Sequence, residues 1–325
     1  MKMRNIWVLG VLAILVVLGV KIYNYNYAVN KKATVEIINP VNKGEETPPY
    51  TQCNQFSSIE YMSYPNYSSF TKPNNKFGIY IYAEEERFFK LAEKLVNSNG
   101  GDWGYVLIPY NVKDRDYTKW KRVFTNLNSK HLIPIIQLWD IDTAKYKNDT
   151  KESASFLNSF LWPVKERYIG VYNEPNDDKF WKGNANAKSY AQILSYTIDI
   201  FKQENPNFFM LNGALNASAP NGDGYINPLL FLYQINQEIP GIFEKLDGWA
   251  SHPYPQPNFS GSPYDTGLWS IKAYESELTY LKNTLGVKKN FPVFITETGW
   301  AHAEGNPYNG SYSNAQTVAQ NYKTA

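Results

Sequence analysis

The chain is poor in the residues that build disulfides and zinc sites. Among its 325 residues there is one cysteine, Cys53, and there are three histidines. A single cysteine cannot form a disulfide within the chain, and a structural zinc site of about four cysteine and histidine ligands would have to use all four of these residues. Lysine and arginine (32) nearly balance aspartate and glutamate (30). This balance gives no reason to expect a nucleic acid as partner.

Glycine-rich phosphate loops are also missing. No predicted strand is followed by Gly-x-Gly-x-x-Gly or by Gly-Lys-Ser/Thr. These loops supply the backbone amides that hold a nucleotide phosphate, so the sequence does not favour a nucleotide-binding fold. We therefore expect neither a metal nor an organic cofactor.

Long apolar runs are rare, and the clearest one lies at the N-terminus. Lys2 and Arg4 precede the uncharged run Ile6–Val20. This run is shorter than the ~20 residues of a usual membrane span, but the segment after it, Tyr23–Tyr27, has no small-x-small cleavage pattern. We predict that residues 1–23 are an uncleaved membrane anchor with the rest of the chain outside the cytoplasm. The alternative is secretion after signal-peptide cleavage.

Residues 24–75 are rich in asparagine, proline, serine and tyrosine and show no sustained hydrophobic period. Such composition is typical of a flexible linker. We predict that it tethers a catalytic domain, residues 76–325, to the membrane.

Apolar strand-like runs alternate with amphipathic helical segments throughout that domain. The predicted strands are 77–82, 103–109, 132–139, 168–172, 208–212, 248–251 and 292–296. The predicted helices are 84–98, 117–129, 151–166, 187–204, 228–246, 268–285 and 314–324. This alternation predicts right-handed β-α-β units around a parallel sheet, and the repeat length favours a (β/α)₈ TIM barrel. The pattern provides seven of the eight units, so we expect either a C-terminally incomplete reading frame or a last strand from residues 24–75 or another chain.

Two glutamates stand at the ends of predicted strands. Glu174 follows the fourth strand in Val171-Tyr-Asn-Glu-Pro-Asn176, and Glu297 follows the seventh in Phe294-Ile-Thr-Glu-Thr-Gly-Trp300. The carboxyl ends of barrel strands line one mouth, so the two carboxylates are expected to face each other there. Cleavage of a glycosidic bond needs such a pair, one acid and one nucleophile.

Other strand-end residues fit a sugar site. Asn173 is placed to bind a sugar hydroxyl, and Tyr254 to donate to Glu297, while His252 can hydrogen-bond in the same cluster or be purely structural. Flat apolar faces for sugar rings are offered by Trp139, Trp181 and Trp300, although the first and last also suit ordinary packing. Asp140, Asp142 and Asp149 match no calcium loop and are expected to be solvated loop acids.

Asn173-Glu-Pro175 and Thr296-Glu-Thr-Gly-Trp300 resemble the signature of the clan of retaining (β/α)₈ glycoside hydrolases that includes cellulase-, mannanase-, xylanase- and galactanase-type enzymes. The resemblance covers residues 76–325. It implies that Glu174 is the acid/base and Glu297 the nucleophile. It also implies that Asn173 binds the 2-hydroxyl and that His252-Pro-Tyr254 is the clan's strand-six His-x-Tyr.

Two features depart from that clan. The second strand ends Ile108-Pro-Tyr110, where many members carry an arginine, and the strand-eight tryptophan has no counterpart. The resemblance implies a retaining glycosidase that cleaves an extracellular oligo- or polysaccharide. The alternatives are a surface-anchored barrel that binds carbohydrate without turnover, and a transglycosylase that uses the same glutamates.

Overall fold

A computed structural model describes residues 75–304 and 312–325 of the chain. This part contains seven β-strands. They are β1 (Gly78–Tyr80), β2 (Gly104–Asn111), β3 (Leu132–Trp139), β4 (Arg167–Val171), β5 (Phe208–Asn212), β6 (Trp249–Ser251) and β7 (Val293–Ile295). All seven predicted strands are found, and each lies within two residues of its expected bounds.

The strands are parallel and follow chain order. β1 to β5 form one sheet, and β6 pairs with β7. A parallel bridge between Leu211 and Gly248 joins β5 to β6, and the side chain of Asn212 bonds both N–H and C=O of Ala250. The seven strands therefore follow one another around a single curved wall, as β-α units connected in sequence require.

Helices connect these strands on the outside. They are α1 (Glu86–Val96), α2 (Tyr117–Ser129), α3 (Tyr146–Asn158), α4 (Ala187–Glu204), α5 (Pro228–Glu238), α6 (Ala273–Asn283) and α7 (Ala315–Thr324). Four of them begin where a side chain accepts a backbone N–H of the first turn: that of Asp116, Asn186, Asn227 or Asn314. The bounds of α2 and α4 are those predicted.

The predictions for α3 and α5 were partly wrong. α3 was expected over 151–166 but ends at Asn158, because Phe160 and Trp162 contribute to the core from a loop that Pro163 prevents from being helical. α5 ends at Glu238, since Pro240 disfavours helix in the residue before it. A short 3₁₀ turn, Ile242–Lys245, follows.

Side chains alternate between two cores along the strands β2 to β6. In β2, Val106, Ile108 and Tyr110 belong to the large core between sheet and helices. Leu107 points the other way and packs with Ile135 and other residues inside the barrel. This alternation is the period-two pattern of a strand covered on both faces.

The two outermost strands are less covered. Ile79 and Tyr80 of β1, and Val293 and Ile295 of β7, are exposed by 36–41%. Within the described ranges, no strand pairs with the free edge of β1 or of β7. The strand count of seven is therefore as predicted for this part of the chain.

The predicted anchor (1–23) and linker (24–75) lie outside the described residues, except for Asn75. This residue is 6% exposed and its amide donates to Val96 O and Asn97 Oδ1. The folded domain thus includes Asn75, which the prediction had assigned to the linker. No helix in residues 75–304 and 312–325 combines the length and apolar content that crossing a bilayer requires.

Candidate active site

The loop after β4 presents Glu174 at the carboxyl end of the barrel. Tyr172 and Glu174 take left-handed backbone angles (φ 71° and 37°), which turn the chain sharply back on itself. The backbone N–H of Glu174 donates to Ala214 O at 3.0 Å, so the turn is fixed to the neighbouring β5 loop. Glu174 is 8% exposed. Non-glycine residues hold such angles where the surroundings enforce them, often at functional sites.

Asn176 fixes this turn further, although the sequence analysis gave it no role. Its amide nitrogen donates to Asn216 O and Ile226 O, and its side-chain oxygen accepts from Asn216 N. The residue is fully buried. A buried asparagine that satisfies three backbone groups ties the β4 and β5 loops together. The signal available in the sequence was its place two residues after Glu174.

His252, directly after β6, lies between the two glutamates. Its Nδ1 is 3.0 Å from Glu174 Oε1, and its Nε2 is 3.8 Å from Glu297 Oε1. The side chain is buried, and Nε2 has no hydrogen-bond partner among the described residues. The structure therefore places His252 within hydrogen-bonding distance of the glutamate cluster, which is one of the two expectations from the sequence.

Burial alone disfavours a charged imidazole and lowers its pKa. In His252 the hydrogen bond to Glu174 and the charges of Glu297 and Glu174 outweigh that effect, so its pKa is raised above the ordinary 6.5. When protonated, the imidazole places a positive charge 3.0 Å from Glu174 Oε1 and 3.8 Å from Glu297 Oε1. None of the ion pairs in the described part of the chain joins a lysine or arginine to either glutamate.

Glu297 follows β7 and is held from the β6 side. Tyr254 Oη donates to Glu297 Oε2 at 3.1 Å, and Thr298 Oγ1 donates to Pro253 O at 2.8 Å. Burial and the neighbouring Glu297 charge both raise the pKa of the Tyr254 hydroxyl, so it stays protonated and remains a donor. The Glu297 side chain is 22% exposed and faces the mouth.

The two glutamates come close together. One oxygen of Glu174, one ring nitrogen of His252 and one oxygen of Glu297 all lie within 4.8 Å of one another. In residues 75–304 and 312–325 this is the group of three that could hold a divalent cation.

Asn173 is oriented by a residue of β3. Gln137 Nε2 donates to Asn173 Oδ1 at 2.9 Å, and both side chains are buried. This bond uses the oxygen of the Asn173 amide and leaves its nitrogen as a donor. Gln137 was not predicted as a site residue; the signal was a polar residue on the inward-facing side of an otherwise apolar strand.

A cavity of about 570 Å³ contains both glutamates. Its wall includes Tyr254, Phe259 and Trp300. Trp300 is 6% exposed, and its Nε1 donates to Gly261 O at 2.7 Å, so little of its side chain is exposed to the cavity. Cavities of this size accommodate small-molecule ligands.

The two other predicted tryptophans differ from each other. Trp139 ends β3, is 38% exposed and packs edge-on to Phe180. Trp181 is 2% exposed and lies between the rings of Tyr172 and Tyr190. The interpretation of Trp181 as a wall for a sugar ring does not fit this burial, because core aromatic residues enclose it.

Asp140 is paired with two lysines, Lys113 at 3.1 Å and Lys182 at 2.6 Å. The hydrogen bond from Lys182, helped by Lys113, lowers the pKa of Asp140. Asp140 is therefore an ionised surface residue, in agreement with its expected role as a loop acid.

The sequence matches no family model, and no curated protein sequence matches it. A GH39 beta-xylosidase from Caulobacter crescentus has a TM-score of 0.51 at 14% identity, over 78% of this chain and 60% of that chain. A beta-glucanase from Saccharophagus degradans has a TM-score of 0.48 at 14% identity, over 77% of this chain and 75% of that chain. An endo-1,4-beta-mannanase from Eisenia fetida has a TM-score of 0.43 at 9% identity, over 73% of this chain and 83% of that chain.

The likeness to the xylosidase concerns the fold. The chain spans 60% of that protein's length. It has the α/β architecture with a parallel sheet that TIM-barrel glycosidases share, as the clan resemblance implied. The class of fold is thus that of the (β/α)₈ glycoside hydrolases.

Proposed function

We propose that this protein is a retaining glycoside hydrolase. The observation that carries the proposal is the approach of Glu174 and Glu297 to within 4.8 Å at one oxygen of each. Retaining enzymes keep their two carboxyl groups ~5–5.5 Å apart, whereas inverting enzymes leave ~6.5–9.5 Å for a water molecule. The fold shared with glycosidases supports the same conclusion.

In the first step, Glu174 acts as the general acid and Glu297 as the nucleophile. Glu174 protonates the glycosidic oxygen while Glu297 attacks the anomeric carbon, so the C–O bond to the leaving sugar breaks and an ester to Glu297 forms. The more exposed position of Glu297, with Tyr254 donating to its other oxygen, keeps one oxygen available for attack.

In the second step, Glu174 acts as the general base. It takes a proton from water, whose oxygen attacks the same carbon and releases the sugar from Glu297 with its configuration retained. Between the steps the negative charge on Glu297 is lost, which lowers the proton affinity of Glu174. His252, in contact with Glu174 and close to Glu297, stabilises whichever carboxylate is charged.

The substrate is a sugar chain bound across the barrel mouth. Asn173 donates to the 2-hydroxyl through the amide nitrogen that Gln137 leaves free, and the exposed face of Trp139 supports a sugar ring. The likeness to a beta-xylosidase makes β-linked substrates the first to test. In this proposal no metal or organic cofactor takes part.

Kinetic variants separate the two glutamate roles. We expect Glu297→Gln to abolish turnover of every aryl glycoside, because attack needs the carboxylate. Glu174→Gln should lower turnover of 4-nitrophenyl β-xyloside and other glycosides in a panel by about 10²–10⁴-fold when the leaving group needs protonation. It should spare bond cleavage when the leaving group is 2,4-dinitrophenolate.

Glu275→Gln, at an exposed carboxylate on α6, is the matched control and should leave turnover unchanged. Full turnover by Glu297→Gln would refute the assignment. If the unmodified protein bound oligosaccharides without turnover, the barrel that binds carbohydrate without cleaving it would be favoured. The reason to consider that alternative is that the second strand lacks the arginine found in many clan members. Transfer of the sugar to an added sugar in preference to water would favour a transglycosylase.

We further propose that the protein acts outside the cell, held by residues 1–23 in the membrane. The support is Lys2 and Arg4 before the apolar run Ile6–Val20. Carbonate extraction of membranes from cells making the full chain tests this. Recovery in the membrane pellet is expected, whereas release of a shortened soluble protein would indicate cleavage and secretion.

A further inference from the structure

An aromatic residue that sequence reasoning missed lies beside the two glutamates. Phe259 belongs to the loop between β6 and α6, residues 252–272, which we name the β6 loop. It lines the same cavity as Glu174 and Glu297. Its side chain is 40% exposed, although large apolar side chains are usually buried.

The backbone at this residue is strained. Asn258 and Phe259 have φ angles of 54° and 56°, in the left-handed region. Asparagine tolerates that region, but a bulky residue such as phenylalanine rarely adopts it. Strain of this kind persists where the surroundings enforce it, and it accumulates at binding sites.

Hydrogen bonds on both sides hold the β6 loop in this shape. Ala301 N donates to Phe259 O at 3.0 Å, and Trp300 Nε1 donates to Gly261 O at 2.7 Å. Across the loop, Gln256 N donates to Trp269 O at 2.8 Å. A Cβ at Gly261 would lie 2.4 Å from the backbone oxygen of Gln256, so only glycine fits there. The ring of Phe259 is therefore exposed at a fixed position.

That position is next to the reacting groups. The rings of Phe259 and Tyr254 meet edge to face, with centroids 5.2 Å apart and planes at 80°. Tyr254 in turn donates to Glu297. One side of Phe259 is thus covered by Tyr254, and the ring still contributes exposed surface to the cavity that holds both carboxylates.

We propose that Phe259 is a stacking platform for a pyranose ring of the substrate. This inference rests on the proposed function and adds a binding determinant to the same site. One face of a pyranose is made of C–H groups, which pack against a flat apolar ring. The fixed loop holds the ring ready, so binding loses little side-chain freedom.

Sugar binding by the full chain carrying Glu297→Gln tests the platform without turnover. Isothermal titration with xylotetraose, cellotetraose and mannotetraose first identifies a sugar that binds. Phe259→Leu keeps an apolar side chain but removes the flat ring, and it should weaken binding about 2- to 10-fold. Phe259→Tyr keeps the ring and should bind within about twofold of the parent.

A second background separates stacking from support of Tyr254. With Tyr254→Phe present, the hydroxyl contact to Glu297 is gone, so any effect of Phe259 that acts through it disappears. The platform predicts that Phe259→Leu still weakens binding there by the same factor. The proposal is overturned if Phe259→Leu no longer weakens binding in the Tyr254→Phe background. It is also overturned if Phe259→Leu binds the sugar as tightly as the parent that keeps Phe259. If the parent binds none of the three sugars, the platform fails, whereas the proposed function is judged separately by turnover of the aryl glycoside panel.

Discussion

The pair Gln137 and Asn173 gives the sharpest prediction about substrate recognition. Gln137→Leu removes the donor that holds Asn173 Oδ1 at 2.9 Å inside a buried site. A buried polar group that loses its partner costs about 1–3 kcal/mol. The Asn173 amide is then free to rotate, so the substrate's 2-hydroxyl loses its ordered donor, and kcat/KM should fall by about 5- to 150-fold.

The assay compares two substrates. Under the proposed function, we expect the loss on the 4-nitrophenyl glycoside that gives the highest turnover, but not on its 2-deoxy counterpart, which lacks the 2-hydroxyl that Asn173 is proposed to bind. Asn173→Ala is the matched background, in which Gln137→Leu should cause no further loss. A merely structural defect would lower kcat/KM for both substrates equally, and that result would refute the reasoning. So would a further loss of kcat/KM when Gln137→Leu is added to Asn173→Ala.

Two further predictions concern residues behind and beside the site. Burial raises the pKa of Glu277 to about 7, above its ordinary 4.5, so the neutral form favours the folded state and stability falls as pH rises through that window. In Glu277→Gln the amide oxygen still accepts from Trp249. This variant should remove up to about 3 kcal/mol of the pH dependence of the unfolding free energy measured in urea. Equal pH dependence in the variant and the parent contradicts the expectation. Trp139→Ala should raise KM for oligosaccharides without lowering the melting temperature much, whereas Trp181→Ala should cost about 3–5 kcal/mol of unfolding free energy. The reverse pattern would show that Trp181, not Trp139, meets the sugar.

Much of the barrel could be predicted because its strands and helices carry local signals. The strand Leu132–Trp139 and the helix Ala187–Glu204 have the expected bounds, since an apolar run or an amphipathic period defines each. The end of α3 was predicted too late because Phe160 and Trp162 continue the apolar pattern of the helix. Pro163 cannot continue a helix, and α3 ends before it, at Asn158. Local patterns do not show whether an apolar side chain reaches the core from a helix or from a loop.

The candidate site was predictable where it follows from strand order. Placing Glu174 after the fourth strand and Glu297 after the seventh was enough to expect them at one mouth, with His252 between them. Contacts that cross loops were not predictable. Asn176 bonds Asn216, 40 residues away, and Gln137 bonds Asn173, 36 residues away. No sequence spacing predicts such pairs.

Exposure was the other quantity that sequence could not provide. Trp181 lies in a polar stretch, yet Tyr172 and Tyr190 enclose it. Phe259 lies in a proline-rich loop and looked unremarkable, yet left-handed backbone angles and hydrogen bonds keep it exposed. Which aromatic ring faces the cavity depends on the path of the loop in space.

The central claim is that Glu297 attacks the anomeric carbon. Its most direct test uses a 2-deoxy-2-fluoro glycoside with a dinitrophenolate leaving group, of the sugar that the protein cleaves. The fluorine slows both steps while the good leaving group preserves the first, so the glycosyl-enzyme ester accumulates. Peptide mass mapping should then find one sugar on Glu297. A label on Glu174, or turnover of the parent glycoside with no covalent label on any residue, would contradict the account.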